Sequence, residues 1–225
     1  VAGAVVLPGT DPITLGSIIY DFWWQSGVTK VGGGGTPANG GTLESWVERA
    51  IGESASTSGS PYQTYSTTLG IRNGTGVYMP LGTPTDLIPP FTAYVLCTYG
   101  GTDLYPICGA GSGDLSNLSV TAGLSLMQDT TSLVTLSWAV TGTGSKLFRW
   151  RVDGSGNAYF KDGSASEESI GSMGANYVRW ENIFGIPGVV TETADNYTRR
   201  ITAFSADIVT GGQSTAVETY INAAG

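Results

Sequence analysis

The sequence predicts a mainly β protein, an antiparallel β-sandwich or jelly-roll with long loops and one short helix at about 42–51. Three observations predict it. Apolar and hydroxylated side chains alternate in stretches separated by Gly-, Ser- and Pro-rich interruptions, the pattern of strands with one buried face. Hydrophobic residues make up 40% of the 225-residue chain, with six Trp, eleven Tyr and six Phe, enough to build a core and too many for disorder. The 34 glycines favour turns over helix interiors.

Along the chain, ITLGSIIYDFWW (13–24) reads as a strand apolar on both sides, so both of its faces are expected to be covered. The glycines at 32–35 and the following TPANGG form a loop or linker. This divides the chain into an N-terminal strand segment at 1–31, part of or a link to a shell domain, a Gly-rich linker at 32–41, and a main antiparallel domain at 42–225. TLESWVERAI (42–51) spaces Leu43, Trp46, Val47, Ala50 and Ile51 along one helical face, with Thr42 as cap and Gly52 as stop. Residues 53–75 form a long surface loop grading into a strand near 68–72, and Pro80, Pro84, Pro89 and Pro90 confine the next stretch to edges or loops. Strands follow at 91–99, 117–127, 133–140, 147–152 and 157–160, and a long one at 197–209. The tail TAVETYINAA suits either a strand or a short helix.

Composition excludes several functions. Histidine is absent, which removes Ser-His-Asp and Cys-His nucleophile systems and His-based metal sites. With 18 acidic and ten scattered basic residues the net charge is -8, unsuited to binding nucleic acid. No apolar run reaches the length of a membrane helix. The chain opens on Val1 with no charged segment ahead of an apolar one, which points to a processed product or the ordered part of a longer protein. Cys97 and Cys108, flanking the Gly100-Gly101 turn, are expected as free thiols buried on neighbouring strands.

Candidate sites are few. Asp153-Gly154-Ser155-Gly156-Asn157 starts like a calcium loop, but position twelve is Ser164 rather than Glu; a hairpin turn between strands 147–152 and 157–160 is the expectation. The acid pairs Glu44/Glu48 and Glu167/Glu168 lack the apolar surroundings that would raise one pKa for glycoside hydrolysis, so neither a catalytic group nor a cofactor nor a metal is expected. Trp46, Trp138 and Trp150 fall on faces expected to be buried. Trp24, Tyr62 and Trp180 are the aromatics expected to be exposed for ligand binding.

Two phrases carry a resemblance. LFRWRVDGSGNAYFKDG (147–163) resembles a strand–turn–strand phrase of phage tail fibres. YTRRITAFSADIVTGG (197–212), with ITLGSIIYDFWW, is similar to strands of the jelly-roll coat proteins of small icosahedral viruses. The resemblance implies a virion structural protein, a coat protein or its projecting domain, that self-assembles as a symmetric homo-oligomer and presents loops 53–67, 100–116 and 163–176 for host attachment. The alternative is a carbohydrate-binding or adhesive β-sandwich module of a secreted or surface protein, with a glycan or host receptor as partner. Neither role calls for an enzyme, a membrane or contact of this acidic segment with nucleic acid.

Overall fold

The computed structural model describes residues 9–57, 63–72, 78–101, 104–109, 117–121, 124–128, 134–184, 196–208 and 211–223. A 3-10 turn at Pro12–Thr14 precedes β1 (Ile18–Trp23), β2 (Val28–Lys30), β3 (Leu43–Val47), β4 (Ser54–Ser56), β5 (Thr64–Ser66) and β6 (Gly70–Arg72). The long strands β7 (Met79–Leu87) and β8 (Phe91–Tyr99) follow, then β9 (Leu104–Gly109), β10 (Asn117–Thr121), β11 (Leu124–Gln128) and β12 (Thr135–Ala139). The last are β13 (Gly144–Val152), β14 (Asn157–Asp162), β15 (Glu168–Ser172), β16 (Val178–Ile183) and β17 (Tyr197–Phe204), before a single helix, α1 (Gly211–Ala223).

These strands build two antiparallel sheets, as the alternation predicts. One runs β15-β14-β13-β8-β17-β6-β5, with β1 and β6 sharing the far edge of β17 end to end. The other runs β12-β11-β10-β9-β16-β7-β4-β3-β2. Their inner faces meet in one core. Across the layers, the Tyr20 ring meets Trp180 edge-on at 5.1 Å, Phe22 meets Trp46 at 5.2 Å, and the Tyr20 hydroxyl donates to the Thr83 carbonyl at 2.8 Å. At one side of the sandwich, residues 40–43 pair with 63–65 before the chain enters β3, so one segment borders both sheets. At the other side β12 packs on β15, where Gly171 has φ +134°, a backbone conformation that other residues rarely adopt.

The outer face of the first sheet explains why β8 and β1 lack simple alternation. Helix α1 lies on it, with Val217 and Ile221 packed among Tyr94, Leu96, Leu147 and Phe204. Beside that contact Asp21, fully buried on β1, receives both Nε and Nη2 of Arg200 at 2.7 Å, the Thr202 hydroxyl at 2.9 Å and Arg49 Nη1 at 3.0 Å. Arg200 lies over the rings of Trp23 and Tyr220. Arg49 and the Tyr220 hydroxyl both reach Asp11. Burial would raise the Asp11 carboxyl, but Tyr220 and then Arg49 more than offset it, and its pKa lies below the ordinary value. A second network ties Arg149 and Arg151 on β13 to Glu167, Asp207 and Glu218 at 2.7–2.8 Å. Burial would likewise raise Glu167; hydrogen bonding from Arg151 and the charge of Arg149 hold it down.

Three expectations are corrected. Residues 42–51 are not a helix: β3 occupies 43–47. A bulge against β2 pairs Thr29 with Ser45 and Lys30 with Leu43, skipping Glu44, so Leu43 and Trp46 both reach the core three residues apart and imitate helical spacing. The helix forms instead in the tail, where Ser214, Val217 and Ile221 share its buried face. The strand read at 117–127 is the antiparallel pair β10–β11, with Thr121 opposite Leu124; period-two alternation does not register a reversal of chain direction. Cys97 and Cys108 do not lie on neighbouring strands, because β8 and β9 belong to opposite sheets. Cys97 is a free, buried thiol whose pKa burial pushes up to about 12.

Two outcomes follow. Arg200→Met leaves the Asp21 carboxylate buried without its main partner and is expected to destabilise the fold by about 3–5 kcal/mol in urea unfolding, with the double variant Asp21→Leu/Arg200→Met recovering part of the loss. Asp11 and Glu167 have folded-state pKa values below their ordinary 3.8 and 4.5, so their stabilisation is full above those values and lost as pH falls through the folded ones. Unfolding free energy is expected to decline on acidification from pH 4.5, less steeply in Glu167→Gln.

Candidate functional site

The outer face of the first sheet is covered at one end and hollowed at the other. Beyond the α1 contact, register places Thr64 of β5 opposite Arg72 of β6, Arg72 opposite Tyr197 of β17, and Tyr197 opposite Thr98 of β8. Cross-strand partners share a face. Their neighbours Tyr65, Ile71 and Cys97 point into the core, so Thr64, Arg72, Tyr197 and Thr98 form a lateral row facing outward, each half-buried. At this row lies a hollow of about 510 Å³, lined also by Asn39, Gly40 and residues of the 66–69 turn.

Local hydrogen bonds fix this lining. Asn39 Oδ1 accepts from the Thr67 amide at 3.1 Å, and Ser66 Oγ accepts from the amides of Thr68 and Leu69. Gly40 N donates to the Tyr65 carbonyl at 2.7 Å. The Tyr65 ring backs onto Trp24 at 5.8 Å, and burial pushes its hydroxyl pKa up. Beside the row, on the bulge in β17, Arg199 Nη2 donates to Thr98 Oγ1 at 3.2 Å and its Nε reaches the Leu69 carbonyl at 3.4 Å.

The described lining holds no acid and no cysteine. It offers a guanidinium, a phenol ring and a set of hydroxyl and amide groups. Such a surface can bind by hydrogen bonding, ring stacking and charge. A second hollow of about 490 Å³ beside α1 contains Lys161, but Glu218 neutralises it at 2.6 Å. A third, about 480 Å³, lies between the exposed Ile88 and the 154–155 turn and has no charged residue in its described lining.

Two of the three aromatics expected to be exposed are buried. Trp180 is fully buried against Tyr20 between the sheets, and Trp24 is buried against Tyr65, so neither offers a ligand platform. Tyr62 lies outside the described residues. Conversely Trp138, expected to be inside, is 39% exposed on β12, the edge strand of its sheet. Asp153-Gly154-Ser155-Gly156-Asn157 is a closed turn: Asp153 Oδ1 accepts from the amides of Ser155 and Asn157 at 2.8 and 2.9 Å, and Oδ2 from Asn157 Nδ2. Gly156 has φ +81°, and a Cβ there would lie 2.3 Å from the Gly174 carbonyl oxygen. Glu48 spends its carboxylate on the amides of Asp21, Ala50, Ile51 and Glu53. Of the loops expected outside, 53–67 contains β4 and β5, 100–116 contains β9, and the 163–176 segment carries the largely exposed β15.

Arg72 and Tyr197 carried no sequence signal. They are 125 positions apart, and only the pairing of β6 with β17 joins them.

No protein-family model and no curated protein matches the sequence. Solved structures do. A botulinum neurotoxin serotype D ligand binding domain in complex with N-acetylneuraminic acid superposes with a TM-score of 0.56 at 13% identity over 92% of this chain. A structure of botulinum neurotoxin type C, solved in connection with its interaction with two ganglioside molecules, gives 0.56 at 10% over 93%. Trypanosoma rangeli sialidase gives 0.54 at 12% over 96%. The chain spans 51% of each toxin chain and 35% of the sialidase. At such identities the likeness is one of fold, a β-sandwich. It gives no support to a coat-protein role or to homo-oligomeric assembly.

The inverted burial of the tryptophans has a measurable consequence. Trp180→Ala is expected to lose about 3–5 kcal/mol of stability and Trp138→Ala less than about 0.5 kcal/mol, compared by urea unfolding followed by circular dichroism.

Proposed function

We propose that this chain is a glycan-binding β-sandwich module of a secreted or surface protein, and that the hollow over Thr64, Arg72 and Tyr197 is its binding site. The observation that carries the proposal is the outward row itself, an aromatic ring and a guanidinium side by side in a concave surface of hydroxyl groups. Sugar rings present weakly polar C–H faces that stack on aromatics, and hydroxyls that need paired donors and acceptors. Tyr197 supplies the first; Thr64, Thr68 and the free amide of Asn39 supply the second. The two toxin structures, one in complex with N-acetylneuraminic acid and one concerned with ganglioside interaction, share the architecture, which supports the class of ligand and leaves the site to this chain's own residues.

The function is binding without turnover. Hydrolysis of a glycoside by carboxylates needs two of them converging on the bond, and the described lining of the hollow contributes none. Glu167, one of the acids singled out in the sequence, is held by both Arg149 and Arg151 at the far end of the sheet.

A glycan microarray probed with the purified chain, followed by titration of the hits, tests this. Saccharide binding is expected, and Tyr197→Ala is expected to weaken it by about tenfold, roughly 1.4 kcal/mol, with the melting temperature little changed. An array silent at high protein concentration, or binding indifferent to Tyr197→Ala, contradicts the proposal.

A further inference from the structure

Resting on that reading of the hollow, we infer that its ligand is a carboxylate-bearing sugar, gripped by the Arg72 guanidinium beside the Tyr197 ring. The inference comes from where the cations of this acidic chain are spent. Arg49 and Arg200 pair with Asp11 and Asp21. Lys146 pairs with Asp162, Lys161 with Glu218, and Arg179 with Asp86 and Glu181. Arg149 and Arg151 share Glu167, Glu218 and Asp207. Among the described residues Arg72 has no carboxylate partner and no side-chain hydrogen bond, although the chain carries 18 acids against ten bases. It is half-buried in a hollow whose described lining is free of acids.

An arginine held in a concavity without a counter-ion among the described residues is suited to receive one. Its planar fork matches the two oxygens of a carboxylate with parallel N–H donors. The Arg72 charge favours an anion in a molecule whose net charge of -8 repels one elsewhere. The hollow beside α1 is the contrast, since its lysine already holds Glu218. Volume and lining select a sugar acid over a bare anion. About 510 Å³ is ample for one or two rings, and the Tyr197 ring offers a stacking surface that a carboxylate alone does not use.

Calorimetric titration of the whole chain with 3′-sialyllactose, a glucuronate-containing disaccharide, lactose and citrate tests the assignment, in the wild type, Arg72→Gln and Arg72→Lys. At least one acidic sugar is expected to bind tenfold or more tighter than lactose, and its advantage to shrink as salt rises. Arg72→Gln is expected to bring the affinity for the acidic sugar down to about that for lactose, and Arg72→Lys to restore part of the advantage. Circular dichroism checks that each variant is folded. Lactose binding as tightly as both acids overturns the acidic-sugar assignment while the glycan reading stands. An acid preference that survives Arg72→Gln overturns the role of Arg72. Citrate matching the sugars makes the hollow a plain anion site and overturns the inference. Failure of every saccharide at millimolar concentration removes the glycan reading and this inference together.

Discussion

The pairing of Asp21 with Arg200 is the constraint on which the arrangement of the outer sheet face depends. It joins the first strand to the last, with both side chains almost fully buried. A buried carboxylate is tolerable only if its oxygens are filled, and here a two-pronged guanidinium, a threonine hydroxyl and a second arginine fill them. The same cluster reaches Tyr220 on α1 through Arg200 and Asp11. It therefore helps fix where the helix lies, and with it which end of the sheet is covered and which is left hollow.

Charge follows the same division. Under and beside the helix, every described arginine and lysine of β13 and β14 is matched by an acid from α1 or a neighbouring segment. These contacts hold a polar face against a helix that contributes few apolar side chains of its own. At the uncovered end no such matching occurs around Arg72 among the described residues. One sheet face thus presents an internally satisfied half and a half whose polar groups face outward. The difference is in partners rather than in residue type, since arginine, tyrosine and hydroxyl side chains occur in both.

The layered architecture was legible in the sequence because it rests on local alternation. Phe148, Trp150 and Val152 of β13 enter the core as their period-two spacing predicts, and β1 is buried on both faces at Tyr20, Asp21 and Phe22 as its apolar run suggests. What misled was spacing that more than one structure can produce. A bulge at Glu44 gave Leu43 and Trp46 a helical interval. An edge position exposed Trp138 despite a perfect alternation around it, while Trp180 and Trp24, which carried no strong periodic signal, were packed by the opposite layer and by Tyr65. The candidate site was hidden altogether. Its residues come from three strands and a loop spread over most of the chain, and their adjacency is a product of sheet order, which propensity and periodicity do not encode.

The central claim is that the uncovered end of this sheet face is a saccharide site. The most direct measurement is an amide-resolved NMR titration of the isotope-labelled chain with 3′-sialyllactose. The account predicts saturable shifts confined to Asn39–Gly41, Thr64–Arg72 and the start of β17, with α1 and β13 unaffected. Shifts gathered instead around Trp138 or at the helix, or spectra that do not change, would contradict it.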